Sequence, residues 1–190
     1  MIYFRVIPLL LLEDESCIKT IKFKKKIYLG DPINIVKIYS ELGVDEILIN
    51  DISSNDRPNF QLLKKISEEA FVPLSYGGGI KTLEDIEKIL SFGYEKIIFN
   101  SLVIENYPFI KDAIQQFGSS TISISVNLKY NFFNNLKLYN RKKNTFYKEI
   151  IETHLEKINL LQPSETLITF VDLEGTRKGY DRKLIEKYFK

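Results

Sequence analysis

The chain alternates short apolar runs, rich in β-branched residues, with longer amphipathic segments, and this alternation limits its fold more than any other feature. Runs that are apolar on both faces are typical of parallel strands covered by helices on both sides. The pattern predicts a repeated βα unit and a parallel α/β sheet. The predicted strands are residues 3–11, 46–50, 72–76, 96–100, 121–128 and 166–171, and the predicted helices are 32–42, 59–70, 83–92, 108–117, 148–161 and from 181 onward.

Two polar excursions interrupt the alternation, at residues 13–26 and 132–145, and both are predicted to be hairpins that follow a strand. The second and sixth strands end alike, in Asp51 and Asp172, which indicates that the chain consists of two related halves. If the fold is an eight-unit barrel, residues 1–190 form a single incomplete (β/α)8-barrel domain, truncated after the sixth βα unit. An open, doubly wound sheet of six strands fits the same periodicity, and the alternation does not separate the two folds.

Composition excludes several classes of protein. The 190 residues carry 27 Lys+Arg and 25 Asp+Glu, so the formal charge of +2 gives no global field that would favour nucleic acid. One Cys and one His exclude a disulfide framework and a histidine-rich metal site, so we expect no metal and no cofactor. The apolar amino terminus is interrupted by Arg5 and Pro8 and is too short to span a membrane. We expect a cytoplasmic protein without a membrane partner.

A glycine-rich segment follows the third strand and precedes a helix, where bare backbone N–H groups and the helix dipole favour a phosphate. The alternative is a tight turn in which glycines only supply positive φ. Asn100 and Ser101 end the next strand and are expected either to bind the same anion or to cap a turn. A second small polar segment after the sixth strand is a weaker candidate for an anion loop. The two segments consist of Gly77, Gly78 and Gly79, and of Glu174 and Gly175.

Four charged residues lie at or near strand starts: Arg5, Glu46, Lys96 and Glu165. In a closed barrel these positions converge on the axis, and alternating cations and anions would form a ring at its floor. Unrelated surface charges are the simpler interpretation, because strand starts are commonly polar. Lys19, in the first hairpin, is the lysine we expect to contact an anionic substrate, although lysine runs are usually only solvated.

These residues together resemble the cyclase subunit of imidazole glycerol phosphate synthase. The resemblance runs in order along essentially the whole chain, and it implies a (β/α)8 barrel, which favours the barrel over the open sheet. It also implies that a glutaminase partner supplies ammonia through the barrel axis to a substrate with two phosphates. In one-letter code, the motifs that carry it are RVIP at 5–8, G-D-P at 30–32, DE at 45–46, Asp51, GGGI at 77–80, NS at 100–101, KKNT at 142–145, GT at 175–176 and GYD at 179–181.

The resemblance also implies roles for individual residues. The strand-start ring matches an ammonia gate at all four positions, and Glu95 would lie on the face that binds the glutaminase. Lys19 would help to close a loop over the substrate, beside an active face formed by Asp51, Thr169 and Asp172. The implied phosphate-binding residues are Gly77, Gly78, Gly79, Asn100, Ser101, Thr169, Glu174 and Gly175.

The chain departs from that family at the two aspartates of the acid/base pair, where it has Leu11 and Asn127. Leucine cannot transfer a proton and asparagine does not titrate. The segments around Leu11, residues 18–24 and residues 30–34 are closer to a paralogous branch found with bacterial surface-polysaccharide genes, which is thought to pass ammonia toward an acetamidino sugar. We therefore expect an ammonia-using synthase subunit, of that branch rather than of histidine biosynthesis. The alternatives are a noncatalytic remnant or glutaminase-docking module, and a six-stranded phosphate binder.

Overall fold

The structure is a computed structural model that describes residues 4–53 and 57–188. These residues form two compact units. The first unit comprises the described residues up to Lys19 together with Ile27–Ile98, and the second comprises Thr20–Lys26 together with the described residues from Phe99 onward. The tip of the first hairpin therefore belongs to the second unit.

The first unit contains a parallel sheet with one helix between each pair of neighbouring parallel strands. β1, β4, β5 and β6 are parallel and neighbour one another in that order, and β2 pairs with β1 in antiparallel register. The elements in chain order are β1 (Leu9–Glu13), β2 (Ser16–Ile21), β3 (Lys25–Gly30), α1 (Pro32–Glu41), β4 (Ile47–Asp51), α2 (Phe60–Glu68), β5 (Leu74–Gly77), α3 (Leu83–Ser91) and β6 (Lys96–Phe99).

The second unit repeats the strand–hairpin–helix–strand order of the first. β10 is parallel to β7, β8 is antiparallel to β7, and β9 is antiparallel to β8. Its elements are α4 (Leu102–Glu105), α5 (Tyr107–Phe117), a 3₁₀ turn (Ser119–Thr121), β7 (Ile122–Tyr130), β8 (Leu136–Asn140), β9 (Thr145–Phe146), α6 (Ile151–Leu161), β10 (Glu165–Phe170) and α7 (Arg182–Tyr188).

Local sequence signals explain where the helices of the first unit begin. The Asp31 carboxylate accepts a hydrogen bond from the Asn34 N–H at 3.0 Å, and Pro32 occupies the first helical position, where no N–H is needed. Thr82 and Asp85 form a reciprocal capping box at the start of α3. Each βα connection therefore ends at a residue that satisfies the free N–H groups of the following helix.

The strand interiors form the core of each unit. Ile47, Leu48 and Ile49 are consecutive in β4 and all buried, as in a strand covered on both faces. In β7 of the second unit, Ile122 and Ile124 are fully buried. Burying side chains of this size contributes about 1.5–3 kcal/mol each, so these apolar runs account for the strand positions.

The structure confirms the six predicted strands, the helices and both hairpins, and moves several boundaries. β1 begins at Leu9 rather than at residue 3, which lies outside the described residues. Pro8 has no N–H to donate to a ladder, so Arg5 precedes the strand instead of lying in it. The helix expected from residue 148 begins at Ile151.

Neither unit closes into a ring of strands within the part of the chain that the structure describes. The predicted mixed α/β fold with parallel strands is confirmed, a closed barrel is not observed, and truncation after the sixth unit stays a prediction. Over residues 4–53 and 57–188, no helix has the length and apolar character needed to cross a bilayer.

Candidate functional site

Asp51 ends β4 with its carboxylate held from two sides. One oxygen accepts the Ser53 N–H at 2.9 Å and the other accepts the Tyr76 hydroxyl at 3.2 Å. Tyr76 is fully buried, and burial together with the nearby Asp51 charge raises the pKa of its phenol, so the hydroxyl stays protonated and donates. The Asp51 carboxylate is therefore oriented before any ligand arrives.

The glycine loop packs too closely for side chains. A Cβ on Gly78, where φ is +125°, would overlap the Asp51 backbone, and a Cβ on Gly77 would lie 2.8 Å from the Ile98 carbonyl oxygen. Gly79 has φ +66° and would approach the Arg57 backbone to 3.1 Å. The glycines are thus required by positive φ and by close backbone approach, as the tight-turn interpretation predicts. Their binding of phosphate stays a prediction.

An acid missed by the sequence argument fixes the start of α3, directly after this loop. Asp85 is 1% exposed, accepts the N–H groups of Lys81 and Thr82 at 3.0 and 3.1 Å, and pairs with Arg57. Burial acts to raise the pKa of Asp85, but these hydrogen bonds outweigh it and hold the pKa below its ordinary value. The capping-box spacing at Thr82 and Asp85 was the available signal for this arrangement.

Glu46 lies at the opposite, amino end of the parallel strands, immediately before β4. Its side chain is 4% exposed and accepts Lys96 Nζ at 2.8 Å and Arg5 Nη1 at 3.1 Å. The Ser75 hydroxyl donates to the other carboxylate oxygen. Within the first unit, two of the predicted gate residues, Arg5 and Lys96, therefore both contact a third, Glu46. Glu165 begins β10 in the second unit, so the complete ring stays a prediction.

Glu174, whose binding of phosphate stays a prediction, holds the tip of the first hairpin. Its carboxylate accepts the Thr20 hydroxyl at 2.8 Å and the Phe23 N–H at 2.9 Å, and its carbonyl accepts the Lys22 N–H at 3.0 Å. Gly175 has φ +68°, and a Cβ there would overlap the Thr20 carbonyl. Side chain and backbone at 174–175 thus fix a hairpin tip about 150 positions earlier in the chain.

The second unit brings Asn127 and Thr169 together. They are register partners on β7 and β10, and Asp172, just beyond β10, accepts the Tyr130 N–H at 2.9 Å. Asn127 borders a cavity of about 10 Å³, which has room for one water molecule. Asn100 and Ser125 also line this cavity, and the Asn100 side-chain amide donates to the Ser125 hydroxyl at 3.2 Å. The full lining is Asn100, Ile104, Ser125, Val126, Asn127, Leu138, Tyr139, Tyr147 and His154.

The remaining predicted site residues differ in exposure. Leu11 is buried within β1, opposite Asn50 of β4, and Lys19 is exposed on β2. Ser101 immediately precedes α4 in the second unit. Because the glycine loop belongs to the first unit and Asn100–Ser101 to the second, their convergence on one anion stays a prediction.

A polar cluster in the second unit was also missed. Asn140 donates to Tyr147 at 2.7 Å and to Glu105 at 3.2 Å, and Lys143 Nζ lies 2.7 Å from the same Glu105 oxygen. Lys143 is part of the segment that carried the family resemblance, which was the available signal. Its contacts are to the protein itself, so a structural role accounts for it.

Comparison with known proteins identifies the family to which the chain belongs. The model of the family described as "Histidine biosynthesis protein" matches residues 5–190. A protein of Pseudomonas aeruginosa is 35% identical over 98% of this chain and 75% of its own length, and one of Campylobacter jejuni is 38% identical over 98% and 75%. Both are named "Putative imidazole glycerol phosphate synthase subunit hisF2". The "Imidazole glycerol phosphate synthase subunit HisF" of Alkaliphilus metalliredigens is 32% identical over the same shares.

These matches cover almost the whole chain and agree with the resemblance drawn from its motifs. They also confirm the barrel-family part of the fold prediction. The chain therefore belongs to the histidine biosynthesis protein family, among relatives named as subunits of imidazole glycerol phosphate synthase.

Proposed function

We propose that this protein is the ammonia-using synthase subunit of a glutamine amidotransferase complex and acts on a phosphorylated sugar in surface-polysaccharide biosynthesis. The observation that carries the proposal is the buried Glu46 carboxylate between Arg5 and Lys96, at the end of the strands opposite Asp51. Two cations and an acid gathered at strand starts are what an ammonia gate requires, and solvated surface charges would not converge in this way.

The ion cluster suits passage of a neutral molecule. Arg5 and Lys96 repel ammonium, whereas uncharged ammonia carries no such penalty. Glu46 holds both cations in place, so passage requires only a local rearrangement of Lys96 or Arg5. A glutaminase bound on this face, where Glu95 is exposed beside Lys96, would deliver ammonia directly to the cluster.

The opposite end of the first unit supplies groups for an anionic substrate. Backbone N–H groups of residues 77–79 favour a phosphate, and the exposed Lys19 adds a cation. Asp51, oriented by Tyr76 and Ser53, is the residue we assign to hydrogen bonding or proton transfer at the reacting group.

Leu11 and Asn127 direct the proposal away from the histidine-pathway cyclisation. That reaction uses two aspartates at these positions in the family resembled, and a buried leucine can neither donate nor accept a proton. Conversion of a sugar acetamido group to an acetamidino group replaces the amide oxygen, which leaves as water, by the ammonia nitrogen. A leucine in place of the first aspartate is in keeping with that different reaction, whereas Asn127 is a change particular to this chain. The polysaccharide branch is therefore the assignment we favour.

A noncatalytic docking module is the second candidate, and two observations support it. The Glu174 carboxylate is engaged by Thr20 and Phe23, and Leu11 fills an acid's position with an apolar side chain. Such a module would keep the gate and bind the glutaminase without transferring ammonia.

A reconstitution with a purified glutaminase subunit of an imidazole glycerol phosphate synthase tests both candidates. We expect complex formation that Glu95→Lys weakens at least about 10-fold, about 1.4 kcal/mol, whereas Glu87→Lys, an exposed acid on α3, leaves it unchanged. Absence of a complex with the unmodified chain contradicts both candidates.

Amide-¹⁵N glutamine then separates synthase from docking module. With a small-molecule extract from a polysaccharide-producing cell, the synthase incorporates ¹⁵N into an anionic sugar product, and the module releases only ammonia. The histidine-pathway ribonucleotide should be converted at less than about 1% of the turnover number that is typical of enzymes. Each missing general acid or base lowers the rate about 10²- to 10⁴-fold. Turnover near 1 s⁻¹, a value typical of enzymes, would contradict the assignment to the polysaccharide branch.

A further inference from the structure

The hairpin of β7 and β8 ends in two exposed phenylalanines. Phe132 is 96% and Phe133 is 77% exposed, and their rings meet edge to face with centroids 5.6 Å apart. The turn that carries them is closed by Asn134 N–H to the Asn131 carbonyl at 3.0 Å and by Asn131 N–H to the Asn135 carbonyl at 2.9 Å. A closed turn thus presents an apolar wedge of two adjacent aromatic side chains to solvent.

The same hairpin is strongly basic although the whole chain carries a formal charge of only +2. Residues 126–148 include six Lys or Arg and no Asp or Glu. Lys129 and Lys137 are direct register partners across β7 and β8, where like charges repel. The Lys129 ammonium lies 4.2 Å from the centroid of the Tyr139 ring, which offsets part of that repulsion. An anionic partner would offset the rest.

The tip of the first hairpin extends this basic face within the second unit. Residues 20–26 include four Lys and no acid. Phe23 contacts Tyr139 with ring centroids 6.5 Å apart, and the Arg141 guanidinium lies 5.5 Å from the Phe23 ring centroid. We call the resulting patch the basic aromatic surface; it consists of Phe23, Lys129, Phe132, Phe133, Lys137 and Arg141.

We propose that the basic aromatic surface binds the anionic face of a lipid bilayer. Phe132 and Phe133 enter the headgroup region, while Lys129, Lys137 and Arg141 contact lipid phosphates. Aromatic rings are favoured at the membrane interface, and lysines beside an anionic bilayer add attraction that is screened by salt. This binding is peripheral and needs no membrane-spanning segment. The finding that no helix within residues 4–53 and 57–188 could cross a bilayer therefore does not bear on it.

The geometry favours a bilayer over single-stranded nucleic acid. Bases stack on exposed, flat aromatic faces spread along a groove, whereas Phe132 and Phe133 are at 85° to each other at the end of a turn. Phe23 and Tyr139 contact each other and have Arg141 and Lys129 over their rings, so these faces are already in use. A projecting wedge with a basic flank fits insertion between headgroups.

Co-sedimentation of the full chain with vesicles tests the proposal. We expect at least about 10-fold stronger binding to phosphatidylcholine vesicles with roughly one third phosphatidylglycerol than to phosphatidylcholine alone, and weaker binding as salt increases. Phe132→Ser with Phe133→Ser should weaken binding about 10-fold or more, and Lys129→Gln with Lys137→Gln about 30-fold. Equal binding to both vesicles, or none, overturns the proposal.

Matched variants in the first unit control for general effects. Phe71 is also 77% exposed, so Phe71→Ser removes a similar apolar side chain, and Lys64→Gln with Lys65→Gln removes two exposed lysines on α2. Both should leave vesicle binding unchanged, and losses equal to those of the hairpin variants overturn the proposal. A poly-dT oligonucleotide that binds through the same residues more tightly than the anionic vesicles assigns the surface to nucleic acid and also overturns it.

Discussion

Lys96 Nζ lies 2.8 Å from Glu46 Oε2, beside a carboxylate that is only 4% exposed. Lys96 itself is 16% exposed, so the pair is largely removed from water, and Arg5 approaches the same oxygen from a more exposed position. A carboxylate buried in this way is retained at a cost in desolvation that its partners must offset. Removal of the Glu46 charge is therefore the sharpest test of the ion cluster formed by Arg5, Glu46 and Lys96.

Glu46→Gln should lower the free energy of unfolding by about 3 kcal/mol, because two cations then lose a buried counter-charge. Urea-induced unfolding measures the loss. The control is Glu69→Gln, which breaks the exposed pair with Lys37 at 3.7 Å and should cost less than about 1 kcal/mol. Equal losses for the two variants would show that burial of Glu46 does not govern its contribution.

Gly78→Ala should be much more destabilising than Gly93→Ala. Both glycines have positive φ, +125° and +98°, but only at Gly78 would the new Cβ meet the Asp51 backbone. We expect a loss of about 1–2 kcal/mol at Gly93 from backbone strain, and at least about 2 kcal/mol more at Gly78 from the overlap. Thermal unfolding followed by circular dichroism checks the difference, and similar melting temperatures would contradict the close approach.

Glu174→Ala should release the tip of the first hairpin. The Phe23 amide then loses its carboxylate acceptor, and its hydrogen exchange should become roughly 10- to 100-fold faster. The Lys22 amide donates to the Glu174 carbonyl, which the variant keeps, so it should change less. Glu152→Ala, an exposed acid on α6, serves as the control. Unchanged exchange at Phe23 would refute the contact.

The single histidine should make stability depend on pH near neutrality. Burial lowers the pKa of His154 below its ordinary value of 6.5; Glu149, 3.0 Å from Nδ1, opposes the shift, and Lys157 adds to it. Well above pH 6.5 both the folded and unfolded states hold it neutral, so it contributes no pH dependence there. As the pH falls below 6.5 the unfolded chain binds the proton first, and the free energy of unfolding decreases.

His154→Gln should flatten this decrease between about pH 7 and pH 5, and urea unfolding at several pH values measures it. An imidazole NMR titration of the unmodified chain should give a midpoint below 6.5. A midpoint above 6.5 would mean that Glu149 dominates over burial and would reverse the predicted slope.

Structural features that are set by residues close together in the sequence were predictable from the sequence. Asp31 and Thr82 cap their helices through N–H groups three residues away, and the period of apolar residues defined strands and helices to within a few positions. The start of β1 was less predictable. The predicted strand extended through Pro8 because its residues are apolar, whereas pairing depends on which N–H groups find a partner.

The sequence by itself determined the βα alternation, both hairpins and the family, because each of these is carried by local patterning or by motifs in order. Only the tertiary structure decided how single side chains are used. The sequence predicted Glu174 only as a phosphate residue, and the structure shows that its carboxylate also holds the Phe23 N–H from 151 positions away. The sequence predicted Gly78 as part of a phosphate loop, and the structure shows that its missing Cβ also makes room for the Asp51 backbone. Contacts over such separations depend on how elements pack, and a linear pattern does not contain that geometry.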